Sequence, residues 1–514
     1  MEQTDLKQVL WNGANILRGM MDANEYKNYL LGIIFYKYLS DTYLAAAYDL
    51  IEDTTPENML DAQKCYEEAC SGKIGDRLQK KLKQKFHYVM EPDVTYTRLA
   101  ADANAGRFQR EPLKRGFNQI EESDTRYAGL FSDVNLYSSR LGVNDTKQSK
   151  TISDLILALD RADLLNHSGD VLGDAYEYMI GQFASETGKK AGEFYTPRNP
   201  GILADRICMT GHEDTRGLAV YDPCMGSCSL LLNLRKWSKF PDMIRYYGQE
   251  LNQTTFNLAR MNLMLHGVSA DRQILRKADT LDADWPTDED NMFDAVVMNP
   301  PYSQKWSANP GFMTDMRFSP YGALAPKSKA DYAFLLHGFY HLKRTGTMAI
   351  FLPHGVLFRG AAEGTIRKKL LENGSIYAVI GLAPNLFYNT SIPVCIVVLK
   401  KDREGRDVLF IDASRQFESG KNQNYISDAD VEHIFELYRN RKDVDKEAHL
   451  ASYEEIEKND FNLNIPRYVD TFEKEEELDP NDVFKDLQKV DAEISETNTQ
   501  LNRFFEELGL EVRL

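Results

Sequence analysis

The stretch Phe293-Asp294-Ala295-Val296-Val297-Met298-Asn299-Pro300-Pro301-Tyr302 joins an apolar run to a proline-braced corner. Residues 295–298 read as a buried strand, short and continuously apolar. The two prolines forbid helix and remove two backbone donors. Each also holds the residue before it extended. The product is a stiff turn at the carboxyl end of a strand, the place where open α/β sheets bind ligands. Working outward, short apolar runs alternate with helical segments from about residue 217 to 412. The predicted strands are 219–221, 246–249, 276–278, 295–298, 347–352, 378–381 and 395–399. Such alternation means βαβ units and a mostly parallel, seven-stranded sheet. The 393–400 run follows another strand closely enough to predict an antiparallel edge.

The first third reads as helical. Asp22-Ala23-Asn24-Glu25 has the spacing of a capping box, and Tyr26, Leu30, Ile33, Ile34 and Tyr38 then form a helical stripe. A second helix is predicted over 170–183, with Leu172, Ala175, Tyr176, Met179, Ile180 and Phe183 on one face. Residues 441–480 are polar and include the acidic run 473–477. After Pro480, Val483, Leu487, Val490, Ile494, Leu501, Phe504 and Leu508 follow steps of four and three, a heptad seam with Thr497 in one core position. The expected division is therefore a helical region 1–165, a catalytic α/β domain 166–440, a polar linker 441–480 and an assembly helix 481–514.

The 514 residues, 43% hydrophobic and 27% charged, have the composition of a water-soluble globular protein of about three domains. No apolar stretch approaches the roughly 18 residues of a membrane span. The first residues lack the basic segment of a secretory signal, so a cytoplasmic location is expected. Six cysteines in a chain this long are no disulfide framework. Cys224 and Cys228 lack the second pair or histidine that a metal site needs, and no metal is expected. The net charge of −17 argues against a chain that grips nucleic acid alone over a broad basic surface.

The corner at 299–302 offers acceptors without competing donors. The Asn299 side-chain oxygen and the Pro300 carbonyl can accept both hydrogens of a planar NH₂ group. An exocyclic purine amine is a poor nucleophile because its lone pair is delocalised into the ring. Two accepted hydrogen bonds favour a pyramidal nitrogen and localise that pair for attack. Tyr302 supplies a face on which an extruded base stacks, and enzymes that act on a base in a duplex must extrude it. Upstream, Val220-Tyr221-Asp222-Pro223-Cys224-Met225-Gly226-Ser227-Cys228 is a strand, a glycine turn and then an apolar helix. The turn admits a ligand close to the backbone. Glu250 ends the next strand, where an acid can bind both ribose hydroxyls. Asp279 ends the third. Each acid alone reads better as a helix cap, but three at successive strand ends, with Asn-Pro-Pro-Tyr at the fourth, are hard to attribute to capping and point to a nucleoside-bearing ligand. Gly192-Glu193-Phe194-Tyr195-Thr196-Pro197-Arg198 reads as a loop entering a helix, either part of this site or a domain junction with buried aromatics.

With these motifs in this order, the chain resembles the S-adenosylmethionine-dependent N6-adenine DNA methyltransferases of the gamma arrangement. More narrowly, it resembles the modification (M) subunit of Type I restriction–modification systems. Supporting stretches are 188–197, Phe351-Leu352-Pro353-His354-Gly355-Val356-Leu357-Phe358-Arg359-Gly360, Leu386-Phe387-Tyr388-Asn389-Thr390-Ser391-Ile392-Pro393 and Asn462-Leu463-Asn464-Ile465-Pro466-Arg467-Tyr468. The resemblance implies a Rossmann-like methyltransferase domain. It implies that Asn299, Pro300, Pro301 and Tyr302 are catalytic. It also implies that Glu193, Phe194, Tyr195, Thr196, Pro197, Arg198, Asp222, Gly226, Ser227, Cys228, Glu250 and Asp279 bind S-adenosyl-L-methionine. Cys228 departs from the family's Gly-Ser-Gly turn, which predicts either crowding of the methionine end or a backbone conformation that glycine tolerates better.

The implied partners are a specificity (S) subunit that reads the sequence, a second copy of the M subunit, a restriction (R) translocase subunit and double-stranded DNA with a flipped adenine. No GxxxxGK[ST] loop or nuclease carboxylate cluster is visible, so restriction and translocation are expected on other chains. Two alternatives stay open: methylation of protein glutamine or RNA amines, which pose the same chemical problem, and a non-catalytic assembly subunit of the same fold.

Overall fold

The computed structural model describes residues 3–165, 169–187, 195–282, 284–286, 293–388, 390–420, 423–471 and 480–513. These fall into two compact units, Met1–Val469 and Asp470–Leu514. Among the described residues no helix is long and apolar enough to cross a membrane.

The first unit is organised around a sheet. Its strands are β1 (Ala219–Asp222), β2 (Arg245–Glu250), β3 (Gln273–Lys277), β4 (Phe293–Met298), β5 (Leu342–Pro353), β6 (Ile376–Leu382), β7 (Val394–Lys400), β8 (Val408–Ala413) and, beyond a small hairpin of β9 (Glu418–Ser419) and β10 (Asn424–Tyr425), β11 (Ala448–Ala451). The order across the sheet is β11-β8-β6-β7-β5-β4-β1-β2-β3. From β5 to β3 and between β6 and β8 the pairing is parallel. β7 runs antiparallel to both β5 and β6, and β11 antiparallel to β8.

This corrects the expected seven-stranded, mostly parallel sheet: the sheet is mixed, with nine strands among the described residues. All seven predicted strands are present. The predicted antiparallel strand at 393–400 is antiparallel but lies in the interior of the sheet, and β11 and β3 are the edges. β8 extends the apolar region just past where the pattern was drawn to end. β11 was hidden in a polar segment because it is a four-residue edge strand with its middle residues half-exposed. Residues 441–469, read from the sequence as linker, accordingly belong to the first unit and bury Ile456, Leu463 and Ile465.

Both faces of the sheet are covered, which is why its strands read as unbroken apolar runs. On one face Val220, Ala295 and Val297 meet Leu203 and Ile207 of helix Arg198–Met209 and Ile434 of helix Asp428–Asn440. On the other, Tyr221, Val296 and Met298 meet Leu335 and Phe339 of helix Asp331–His341 and Ile366 of helix Ala361–Glu372. The chain lays β1, β2 and β3 outward in one direction and then returns to place β4 on the other side of β1. The crevice between the carboxyl ends of β1 and β4, in register as Val220↔Ala295 and Tyr221↔Val296, is thus the topological switch point where open sheets bind ligands.

The helical region has its own aromatic core, with Phe117 stacked on Phe131 at 4.4 Å. Helix Ala23–Glu52 starts where expected, but the predicted capping box does not form: Asp22 makes no side-chain cap bond, and Glu25 pairs instead with Arg140. Helix Gly169–Thr187 packs Ala175, Tyr176, Met179, Ile180 and Phe183 into this same core. So do Leu258, Met261 and Leu265 of helix Gln253–Leu265, which joins the core to the sheet. In the second unit, helix Pro480–Glu507 buries none of its residues and leaves the predicted heptad positions exposed.

Candidate active site

Asn299 follows the last residue of β4, and its amide is held at both ends. Its Nδ2 donates to Thr196 Oγ1 at 3.1 Å, and its Oδ1 accepts from the Tyr302 hydroxyl at 2.7 Å. Thr196 precedes Pro197, the residue before helix Arg198–Met209, so the rigid Thr-Pro step fixes the side chain that orients Asn299. Pro300 is buried and Pro301 half-buried. Tyr302 meets Phe387 edge-on at 6.2 Å, and Tyr195 packs beside Tyr388 at 5.9 Å. The 386–393 stretch therefore supplies an aromatic wall against both tyrosines. Burial pushes the Tyr302 hydroxyl well above its usual range, so it stays neutral and serves as a hydrogen-bond donor.

The three acids occupy successive strand ends as predicted. Each also makes a cap-like bond to the amide two residues on: Asp222 from Cys224 at 2.8 Å, Glu250 from Asn252 at 2.8 Å and Asp279 from Leu281 at 2.9 Å. Asp412, at the end of β8 and remote from the cleft, accepts from Ser414 in the same way, so the turn bond alone does not mark a ligand. What distinguishes the three is position. Glu250 and Asp279 line a cleft of about 530 Å³ with Gly226, Leu251, Asn299 and Trp306. Asp222 lines a small adjoining cavity with Tyr195, Thr196, Gly226, Ser227 and Asn299. The Asp222 Oδ2 is buried and has no hydrogen-bond partner among the described residues, and burial raises its carboxyl well above the ordinary range, with Glu250 adding to the effect. Burial also raises the Glu250 carboxyl, opposed by the amides of Asn252, Leu251 and Gly226.

The turn between Asp222 and the next helix needs positive φ at Gly226 (53°) and Cys228 (70°). Cys228 is therefore in the left-handed region at a cost of about 1–2 kcal/mol for a residue with a Cβ. Its side chain is fully buried among the residues of the sheet's core, and it does not line the cavity beside Ser227. Of the two consequences predicted for it, the backbone conformation that glycine tolerates better is present. Arg198 is mostly exposed, with its guanidinium 4.0 Å from Asp428. Glu193 and Phe194 lie outside the described residues.

Sequence reasoning missed two contributions. Gln304, Lys305 and Trp306 wall the cleft from the segment after Tyr302, and no periodicity or motif announced them. Thr196 was read as touching the ligand. Its contact with Asn299 required the fold to bring positions 196 and 299 together.

Comparison with known proteins then decides the family. The N-6 DNA methylase model matches residues 167–477, and the HsdM N-terminal domain model matches residues 6–159. The chain belongs to the N-6 DNA methylase family. It is 32% identical, over 93% of its length and 91% of the relative's, to the Type I restriction enzyme MpnII methylase subunit of Mycoplasma pneumoniae. It is also 32% identical to the HindI methylase subunit of Haemophilus influenzae over 60% of this chain and 70% of that one. The crystal structure of the type I restriction-modification system methyltransferase subunit from Streptococcus thermophilus superposes with a TM-score of 0.89 at 53% identity, covering 91% of this chain and all of the other. This N-6 DNA methylase is thus an adenine-specific DNA methyltransferase of the Type I modification-subunit kind, and DNA is the substrate its family takes. The resemblance read from the motifs holds over the whole catalytic region and the helical region before it.

Proposed function

We propose that this methylase transfers a methyl group from S-adenosyl-L-methionine to the N6 of an adenine flipped into the Asn299–Tyr302 corner. The donor fits the residues present. Gly226 lets the chain turn tightly beneath a ligand, and the buried, unpartnered Asp222 oxygen awaits a cationic or donor group. The acids of the floor suit a molecule that carries positive charge. Glu250 would hold its ribose hydroxyls, Asp279 its adenine, and Ser227 and Gly226 its methionine end. When bound, the donor supplies an electrophilic methyl on a sulfonium, and no metal is called for.

The chain's own residues perform the rest. Asn299 Oδ1 and the Pro300 carbonyl accept the two N6 hydrogens and draw the nitrogen toward a pyramidal geometry. Thr196, holding the Asn299 amide nitrogen, keeps the oxygen turned to the substrate. Tyr302 gives the base a stacking face and, in its absence, holds the Asn299 oxygen in place. The proline-fixed corner limits reorganisation, so positioning and electrostatics carry the rate.

The observation that carries this reading is the Asn299 amide, tied at both ends at the switch point and opening on the same cleft as Glu250 and Asp279. The methylase acts in the cytoplasm on double-stranded DNA. It assembles with a specificity subunit, a second modification subunit and a restriction translocase, and the exposed seam of helix Pro480–Glu507 packs against the specificity subunit. The test supplies tritium-labelled donor to the chain co-expressed with its specificity subunit, and offers plasmid DNA, RNA and a glutamine-bearing protein in parallel. Label recovered as N6-methyladenine from DNA supports the reading. Label on RNA or protein alone contradicts it.

A further inference from the structure

Residues 303–330, which follow the catalytic tetrapeptide, differ in charge from the rest of the molecule. In a chain with 17 more acids than bases, this segment holds Lys305, Arg317, Lys327 and Lys329 against the single acid Asp315. The acid is taken up inside the loop: Arg317, 1% exposed, donates from Nη2 to Asp315 Oδ2 at 2.7 Å and from Nε to Asp315 Oδ1 at 3.1 Å. The three lysines remain as the loop's surface charge. Among the described residues Lys305 and Lys327 have no carboxylate partner, and Lys329 stands near Glu363, which Arg359 already holds.

The loop is also rigid for its length. Trp306 stacks on Phe312 at 5.5 Å, and Phe318 closes the cluster. Arg317 ties it to the Thr280 carbonyl and to His337. Its two ends are joined by Trp306 N to the Lys327 carbonyl at 3.1 Å and Ala330 N to the Gln304 carbonyl at 2.8 Å, which sets Lys305 beside the 327–329 turn. Ser303 N donates to Asp331 at 2.8 Å immediately after Tyr302, fixing this pair of segments to the catalytic corner. The acidic floor that suits a cationic donor repels a polyanion, and a duplex whose base enters over Tyr302 brings its flanking phosphates to the rim, where this loop stands.

We propose that Lys305, Lys327 and Lys329 form a pre-ordered phosphate clamp that grips the DNA backbone beside the flipped adenine. The clamp rests on the reading of Asn299–Tyr302 as the adenine site. Because the loop is already ordered, little entropy is lost on binding. Each phosphate contact contributes about 0.9 to the slope of log affinity against log salt. The experiment measures that slope by anisotropy of a fluorescein-labelled duplex, with the full chain assembled with its specificity subunit. Lys327→Gln/Lys329→Gln is expected to flatten the slope by about 1.8, with melting temperature and donor affinity unchanged, and Lys327→Arg/Lys329→Arg to keep the wild-type slope. A glutamine variant with the wild-type slope overturns the clamp alone, provided the wild-type complex labels DNA. A wild-type complex that labels no DNA overturns the clamp together with the reading beneath it.

Discussion

On the proposed reading Asn299 does not act by itself, because an amide that could turn over would present its NH₂ to the substrate amine half of the time. Thr196 prevents this by accepting the amide hydrogen. Replacing Thr196 with Val is expected to lower kcat for label transfer by about 10²-fold, the scale of a misoriented catalytic group, while donor affinity by calorimetry changes little. Thr196→Ser is expected to restore most of the rate. Equal losses for Ser and Val would show that the hydroxyl plays no positioning part. Asp222 gives a pH prediction. Burial raises its carboxyl well above the ordinary range and so favours the neutral form, whereas a cationic ligand favours the charged form. Binding then expels a proton, so donor affinity rises with pH through that raised value and levels off above it. Calorimetry in two buffers of different ionisation heat reads the proton directly, and Asp222→Asn is expected to abolish the release. At this scale the sequence was informative wherever a residue type is chemically rare in its setting: the prolines after a strand, the acids at strand ends, the cysteine in a glycine turn. It was silent on Trp306 and on the bond between Thr196 and Asn299, which exist only through contacts made by folding.

The strands that flank the crevice were legible because both faces are buried and the apolar runs stand out against charged connections. β11 was not, since a short edge strand alternates with solvent and resembles a loop in composition. The capping box at Asp22 fails for a related reason: its spacing was right, but Glu25 has a stronger partner in Arg140, supplied by a segment far along the chain. Helix Pro480–Glu507 stands at the opposite extreme. Its Val483, Leu487, Val490, Ile494 and Phe504 are all between 40% and 55% exposed, an apolar seam that the helix does not bury. Removing residues 480–514 is expected to leave donor affinity intact and to cost at least tenfold in affinity for the specificity subunit, read by co-purification and analytical ultracentrifugation. A full-affinity complex from the truncated chain would remove that helix from the assembly.

Taken whole, the molecule separates its charges by task. Under the proposed function the acidic cleft floor receives a cation, the basic loop grips the duplex beside it, and sequence reading is left to another chain. Net charge alone suggested only that last feature, since a sum over 514 residues hides a local reversal of sign. The central claim, that one rigid corner activates the adenine amine, is tested most directly by Asn299→Ala in the methylase assembled with its specificity subunit. Single-turnover transfer of labelled methyl to duplex DNA is expected to fall by about 10²–10³-fold, the loss of a preorganised electrostatic contact, with donor binding and assembly at wild-type levels. A variant that still forms N6-methyladenine within tenfold of the wild-type rate would contradict the account.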